Sequence, residues 1–168
     1  MKSLLSLVTF VLMSISSLAV AEIQFPEITV DSLNGQSQSF PQGLPANPTI
    51  VFIAYKQNQQ EDLQAWIEAL GLQESGGQAW VEFPVIGRGG ALMRSFIDNG
   101  MRSGITSDAL RNRVFTVYSS RGAFNQSLGI SGSQQVYVAL VGRDGTIYTL
   151  IEGQVTSEKV SQLRAAFP

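Results

Sequence analysis

The residues whose types and spacing could support chemistry are few, and they cluster in one turn. Lys56-Gln57-Asn58-Gln59-Gln60 places one lysine and four side-chain amides between a short apolar run, Ile50 to Ala54, and a segment of helical spacing. The turn holds no thiol, imidazole or carboxylate. As a base or nucleophile, Lys56 would need a strongly lowered pKa, which usually comes from burial. Amid four amides and near Glu61 it has little reason to lose its water. The helix that follows still offers free backbone N–H groups and a positive dipole end, suited to a carboxylate, a phosphate or a peptide carbonyl. The competing reading is a solvated turn that binds nothing.

The elements around this turn are legible. Ile50 to Ala54 follows Pro48 and has the pattern of a strand buried on both faces. Leu63, Trp66, Ile67 and Leu70 recur at helical spacing, Glu61 and Asp62 sit in the first turn, and Gly71 ends the helix. A buried strand running into an amphipathic helix begins a βα unit. The turn between them lies at the carboxyl end of the strand, where open α/β sheets place their ligands.

Composition removes many alternatives. The 168 residues include no cysteine and no histidine. Thiol redox chemistry, cysteine proteolysis, a Ser-His-Asp arrangement and Cys/His zinc sites are therefore excluded, and neither a metal nor a cofactor is expected. A formal net charge of −2 argues against bulk nucleic-acid binding. At the N-terminus, Lys2, the apolar stretch Leu4 to Leu18 and Ala19-Val20-Ala21 read as a secretory signal cleaved after Ala21. A single domain over residues 22–168 remains, about 147 of the 168 residues once the first 21 are removed. The expected location is the periplasm or the exterior.

Along that domain, Ile28 to Val30 and Ser37 to Phe40 flank the turn signal Asn34-Gly35 and predict a hairpin. Gly76-Gly77 breaks the chain before a strand over Ala79 to Ile86. Gly87-Arg88-Gly89-Gly90 reads as a flexible corner, since it lacks the Gly-Lys-Ser/Thr ending of a phosphate loop. Leu92, Met93, Phe96, Ile97 and Met101 mark a second amphipathic helix ending near Asn99-Gly100. A cap signal at Thr106-Ser107-Asp108 predicts one helical turn, and Val114 to Tyr118 reads as a third strand. Ser120 caps a short helix, Gln135 to Val141 and Thr146 to Ile151 form a hairpin about Arg143-Asp144-Gly145, and Thr156 caps a terminal helix. Trp66 and Trp80 are expected in the core. Alternating βα units predict parallel strands, while the closing hairpin must be antiparallel, so the sheet is mixed and flanked by helices. A flavodoxin-like sheet would need a helix where Arg143-Asp144-Gly145 leaves no room.

This order resembles the thioredoxin-like fold of peroxiredoxins and periplasmic thiol-disulfide proteins. The likeness rests on Ile28 to Phe40, on Thr49 to Leu70, and above all on the closing VALVGRDGTIYTLIEG, Val138 to Gly153. Leu128 to Gly145 also resembles the C-terminal part of the mitochondrial ATP synthase assembly-factor family of thioredoxin-like proteins. The resemblance implies an α/β domain with a central mixed sheet and an N-terminal hairpin. It also implies a Cys-x-x-Cys motif where this chain has Lys56 to Gln60, and a proline near Gln135 where this chain has none. Without either feature, oxidoreductase activity is out of reach.

The expected function is thus an exported, redox-inactive binding module, an adaptor or assembly chaperone for an envelope protein, and not an enzyme. In the resembled fold the loop before Gln135 flanks the active turn, so an extended peptide would lie between the two. Lys56, Gln57, Asn58 and Gln135 are the expected binding residues, with Arg88 and Arg94 at the edge. Arg88, Arg94, Arg102, Arg111, Arg113 and Arg121 share a region whose acids are Asp98 and Asp108. That region reads either as a basic face making weak contact with an anionic membrane surface, or as ordinary arginines paired with acids. The alternatives to a binding module are a non-thiol enzyme and an anion or small-molecule carrier built on the same turn and arginines.

Overall fold

The computed structural model describes residues 23–74 and 77–168. The expected signal segment, and Gly76 of the expected chain break, lie outside the described residues. Strands β1 (Ile28–Asp31) and β2 (Ser37–Phe40) form the N-terminal antiparallel hairpin. Strand β3 (Thr49–Ala54) is buried at every residue, as its unbroken apolar run requires. A single 3-10 turn, Gln57–Gln59, leads into helix α1 (Gln60–Leu70), which Gly71 ends in the left-handed conformation. Strand β4 (Trp80–Pro84) follows, then a 3-10 segment, Arg88–Met93, that runs directly into helix α2 (Arg94–Gly104). After the short α3 (Asp108–Arg111) come helix α4 (Arg121–Leu128), strands β5 (Tyr137–Val141) and β6 (Ile147–Glu152), and helix α5 (Ser157–Ala165).

The main sheet has the order β4-β3-β5-β6, with β3 and β4 parallel and the other pairs antiparallel. Each face carries its own core. On one side α1 and α5 contribute Leu63, Trp66, Val160 and Leu163 against Ile50, Phe52, Val138 and Leu140. On the other, α4, the N-terminal hairpin and the segment before it contribute Phe124, Leu128, Phe40 and Phe25 against Val51, Ile53, Phe83 and Ala139. Trp66 and Trp80 are both buried in the first of these layers, each with its indole N–H donated to a backbone carbonyl. This mixed, two-sided sheet with an N-terminal hairpin is the α/β architecture expected from the sequence.

Three local expectations need correction. Val114 to Tyr118 is not a continuous strand but a pair of parallel bridges to β4, at Glu82–Val114 and Val85–Val117. Pro84 is the cause. The N–H groups of Glu82 and Ile86 donate outward to Arg113 and Val117, and the residue midway between them is a proline with no N–H to give. Gly87-Arg88-Gly89-Gly90 is not an open corner, since most of it is wound into the 3-10 segment. A Cβ on Gly90 would collide with Ile86 Cγ2, so a larger residue there would force that side chain to move. Helix α2 runs through Asn99-Gly100 to Gly104, and none of its residues is buried.

Candidate functional site

At the end of β3 the chain passes from buried Tyr55 to three exposed residues, Lys56, Gln57 and Asn58, and then to Gln59, which is buried again. The Gln59 side chain folds back beneath the turn. Its Oε1 accepts from the Tyr55 N–H at 2.7 Å and the Lys56 N–H at 3.2 Å, and its Nε2 donates to Ser133 O at 3.4 Å. A neutral amide, with an acceptor oxygen and a donor nitrogen, can accept from the turn and donate to the loop at once. One of the four amides is therefore a structural staple between the turn and the loop before β5. Gln59 stands three residues after the N-cap Lys56, the position from which a glutamine reaches back to the N-cap N–H, and that spacing is the one sequence signal for its role.

Lys56 adds a second link, its ammonium donating to Gln134 Oε1. The turn and the 133–135 loop are thus neighbours fastened by two side chains. Gln134, rather than Gln135, is the residue that meets Lys56. The Gln135 side chain lies toward Gly153 and Lys159, on the β6 side of the loop. Both glutamines are exposed, and neither makes a backbone–backbone hydrogen bond among the described residues, while Gly132, Ser133 and Val136 have their carbonyls engaged. A short stretch of open backbone therefore borders the turn.

Tyr55 supports the turn from below. Its hydroxyl donates to Asn125 Oδ1 at 2.7 Å, its ring meets Tyr137 edge to face, and the Arg121 guanidinium lies 5.7 Å from the ring centroid. Burial drives its phenol pKa far above the ordinary value. On the opposite face of the sheet, Glu82 of β4 is 6 % exposed and has no cationic partner among the described residues. Burial pushes its carboxyl up to about 7, and the nearby Gln60 amide at the start of α1 offsets only part of that. Sequence reasoning had no signal for Glu82, because its place opposite Phe52 depends on the pairing of β4 with β3.

Arg88 and Arg94, the expected edge residues, part company. Arg88 is exposed in an open cleft of about 340 Å³, lined also by Ile86, Gly87, Gly89, Ser120 and Arg121. Arg94 is drawn away to the hairpin, 2.7 Å from Asp31 and 3.6 Å from Asp98, with its guanidinium over the Tyr118 ring. Most of the other arginines brace backbone carbonyls instead of pairing with acids. Arg102 donates to Leu33, Arg111 to Ile105 and Arg102, Arg113 to Glu74 and Trp80, and Arg121 to Val85 and Ile86. Arg111 also reaches the Asp108 carboxylate at 3.3 Å. The reading of these residues as ordinary arginines paired with acids therefore holds for Arg94 and Arg111.

No protein-family profile and no curated protein matches the chain. Solved structures do. The exposed lipoprotein thioredoxin Etrx1 of Streptococcus pneumoniae aligns with a TM-score of 0.56 at 10 % identity, over 83 % of this chain and 99 % of its own. The N-terminal domain of PilB from Neisseria gonorrhoeae aligns with a TM-score of 0.53 at 14 % identity, over 80 % and 86 %. BsSco, of the Sco family of cytochrome c oxidase assembly proteins, aligns with a TM-score of 0.50 at 13 % identity, over 86 % and 93 %. At these identities the likeness establishes the fold, which is thioredoxin-like. Thiol-disulfide exchange needs a sulfur nucleophile, and this chain has no cysteine to supply one.

Proposed function

We propose that the chain is an exported, redox-inactive thioredoxin-like module that holds an extended segment of another envelope protein, as an adaptor or assembly chaperone. The observation that carries this reading is the open backbone of Gln134 and Gln135, fixed beside the exposed turn Lys56 to Asn58 by the Gln59 and Lys56 links. Unpaired backbone groups next to a rigid wall suit an added strand, with main-chain hydrogen bonds giving affinity and flanking side chains giving selectivity. Gln57 and Asn58 offer amide donors and acceptors, and Lys56 adds positive charge. Two structural relatives lend support by their names alone: Etrx1 is an exposed lipoprotein, and BsSco belongs to a family of assembly proteins. The use of Lys56 as a base has no support, since the residue is exposed and its amine is held by Gln134.

The test is a charge reversal, Lys56→Glu with Asn58→Glu. Both side chains are exposed, so the melting temperature should stay within a few degrees of wild type. Recovery of crosslinked envelope protein from cells should fall several-fold. Recovery equal to wild type would place the binding face elsewhere.

A further inference from the structure

Helix α2 is fastened to the body by its polar face. Arg94, Asp98 and Arg102, four residues apart, point inward: Arg94 to Asp31, Asp98 to the Tyr118 hydroxyl at 2.7 Å, and Arg102 to Leu33 O. Ile97 and Met101 are half-buried, but three apolar side chains of this segment stand in solvent. Leu92 is 97 % exposed, Met93 56 % and Phe96 74 %. An amphipathic helix ordinarily buries its apolar stripe and leaves the polar one in water. Together these three side chains present on the order of 400 Å² of apolar surface in one ridge, as large as the biggest patch a monomer usually shows.

The charge around the ridge is predominantly positive, with Asp31 and Asp98 both paired to Arg94. Between Phe83 and Ser107 the sole acid is Asp98, which is committed to Tyr118 and Arg94. Arg88 and Arg121, in the cleft where the 3-10 segment begins, and Arg102 on α2 have no acidic partner among the described residues. Arg121 Nε is buried there without a hydrogen bond. Glu61, Asp62 and Glu68 stand on α1, which packs on the opposite face of the sheet from the N-terminal hairpin.

We propose that the Leu92-Met93-Phe96 ridge inserts into an anionic lipid surface, with the Arg88–Arg121 cleft receiving lipid phosphates. Apolar side chains standing proud of a helix, in a region whose arginines largely lack acidic partners, fit the boundary between headgroups and acyl chains. A leucine almost wholly in water protrudes too far to be one wall of a groove. A second copy of the chain fits poorly: a stable dimer covers about 800 Å² on each partner, roughly twice this ridge. This surface is separate from the turn at Lys56, so its success or failure does not decide the peptide-binding proposal.

The experiment is co-sedimentation of the chain from Glu22 to Pro168 with vesicles of phosphatidylethanolamine and phosphatidylglycerol at 7:3, against vesicles of phosphatidylcholine alone. Wild type should sediment with the anionic vesicles and much less with the neutral ones. The paired change Leu92→Ser and Phe96→Ser should lower vesicle affinity by at least about tenfold with an unchanged melting curve, since both side chains are already exposed. Arg88→Glu should lower it several-fold, and added salt should remove that difference. Phe96→Trp should show blue-shifted fluorescence on binding. Absence of sedimentation with anionic vesicles, or affinity indifferent to the Leu92 and Phe96 changes, overturns the proposal. So does a wild-type dimer that the serine variant turns into monomer, which would assign the ridge to a second copy. A protein captured through the ridge without vesicle binding overturns it equally.

Discussion

Replacing Glu82 by Gln should stabilise the protein, and by an amount that depends on pH. Glu82 is 6 % exposed, and burial raises its carboxyl pKa from an ordinary 4.5 to about 7. In the unfolded chain the group loses its proton near 4.5, whereas in the fold it keeps it until about 7. Between those values the folded state binds more protons, so stability falls as pH rises through that window and levels off above it. Each tenfold difference in proton affinity corresponds to 1.36 kcal/mol, so the cost of ionising Glu82 in place is roughly 3 kcal/mol at pH 8. Glutamine keeps the shape and removes the charge. Urea unfolding of both proteins should give similar stabilities at pH 4.5. At pH 8 the Gln variant should lead by up to roughly 3 kcal/mol, or about 6–12 °C in melting temperature for a chain of this size. A variant that is less stable at pH 8, or whose lead is the same at both pH values, would show that the ionised carboxylate has a compensating partner and that the argument from burial is wrong.

Other expectations follow from the same structure. Gln59→Leu leaves the Tyr55 and Lys56 N–H groups without their acceptor and should cost about 1–3 kcal/mol in chemical unfolding, with the 133–135 loop losing hydrogen-exchange protection. A loss below 0.5 kcal/mol would deny the staple its role. Purified protein should show no turnover in insulin-reduction or peroxide assays and no change on adding reductant, because it has no sulfur nucleophile. Turnover that survives further purification would refute this. Mass spectrometry of protein from its native envelope should find an N-terminus at Glu22, and an intact Met1 in a membrane pellet would mean that the segment is an anchor.

What the sequence revealed was local physics. Ser107, Ser120 and Thr156 each accept an N–H from the first turn that follows, as their cap positions require. Asp144 takes the Thr146 N–H and hydroxyl, which holds its carboxyl below the ordinary range and closes the Arg143-Asp144-Gly145 turn. Long apolar runs such as Thr49–Ala54 and Tyr137–Val141 could only be buried strands. What stayed hidden depended on partners far along the chain. Periodicity shows that Leu92, Met93 and Phe96 share a face of a helix, but not that Asp31, Leu33 and Tyr118 hold the opposite face. A cluster of arginines reveals charge, but not that most of its members spend their donors on carbonyls. The turn itself was placed correctly between β3 and α1. The division of labour within it was not, since the spacing of Gln59 from Lys56 sets it apart from Gln57 and Asn58 only once the start of the helical turn is fixed.

The central claim is that the exposed turn and the loop beside it hold another envelope polypeptide. A photo-crosslinking residue placed at Asn58, at Gln135 and, as a control on α5, at Ser161 tests it most directly, with adducts mapped by mass spectrometry after irradiation of intact cells. Asn58 and Gln135 should give adducts to the same extended segment of one envelope protein, lost when Lys56 is changed to Glu, and Ser161 should give none. Adducts absent from both positions, or equally abundant at Ser161, would contradict the account.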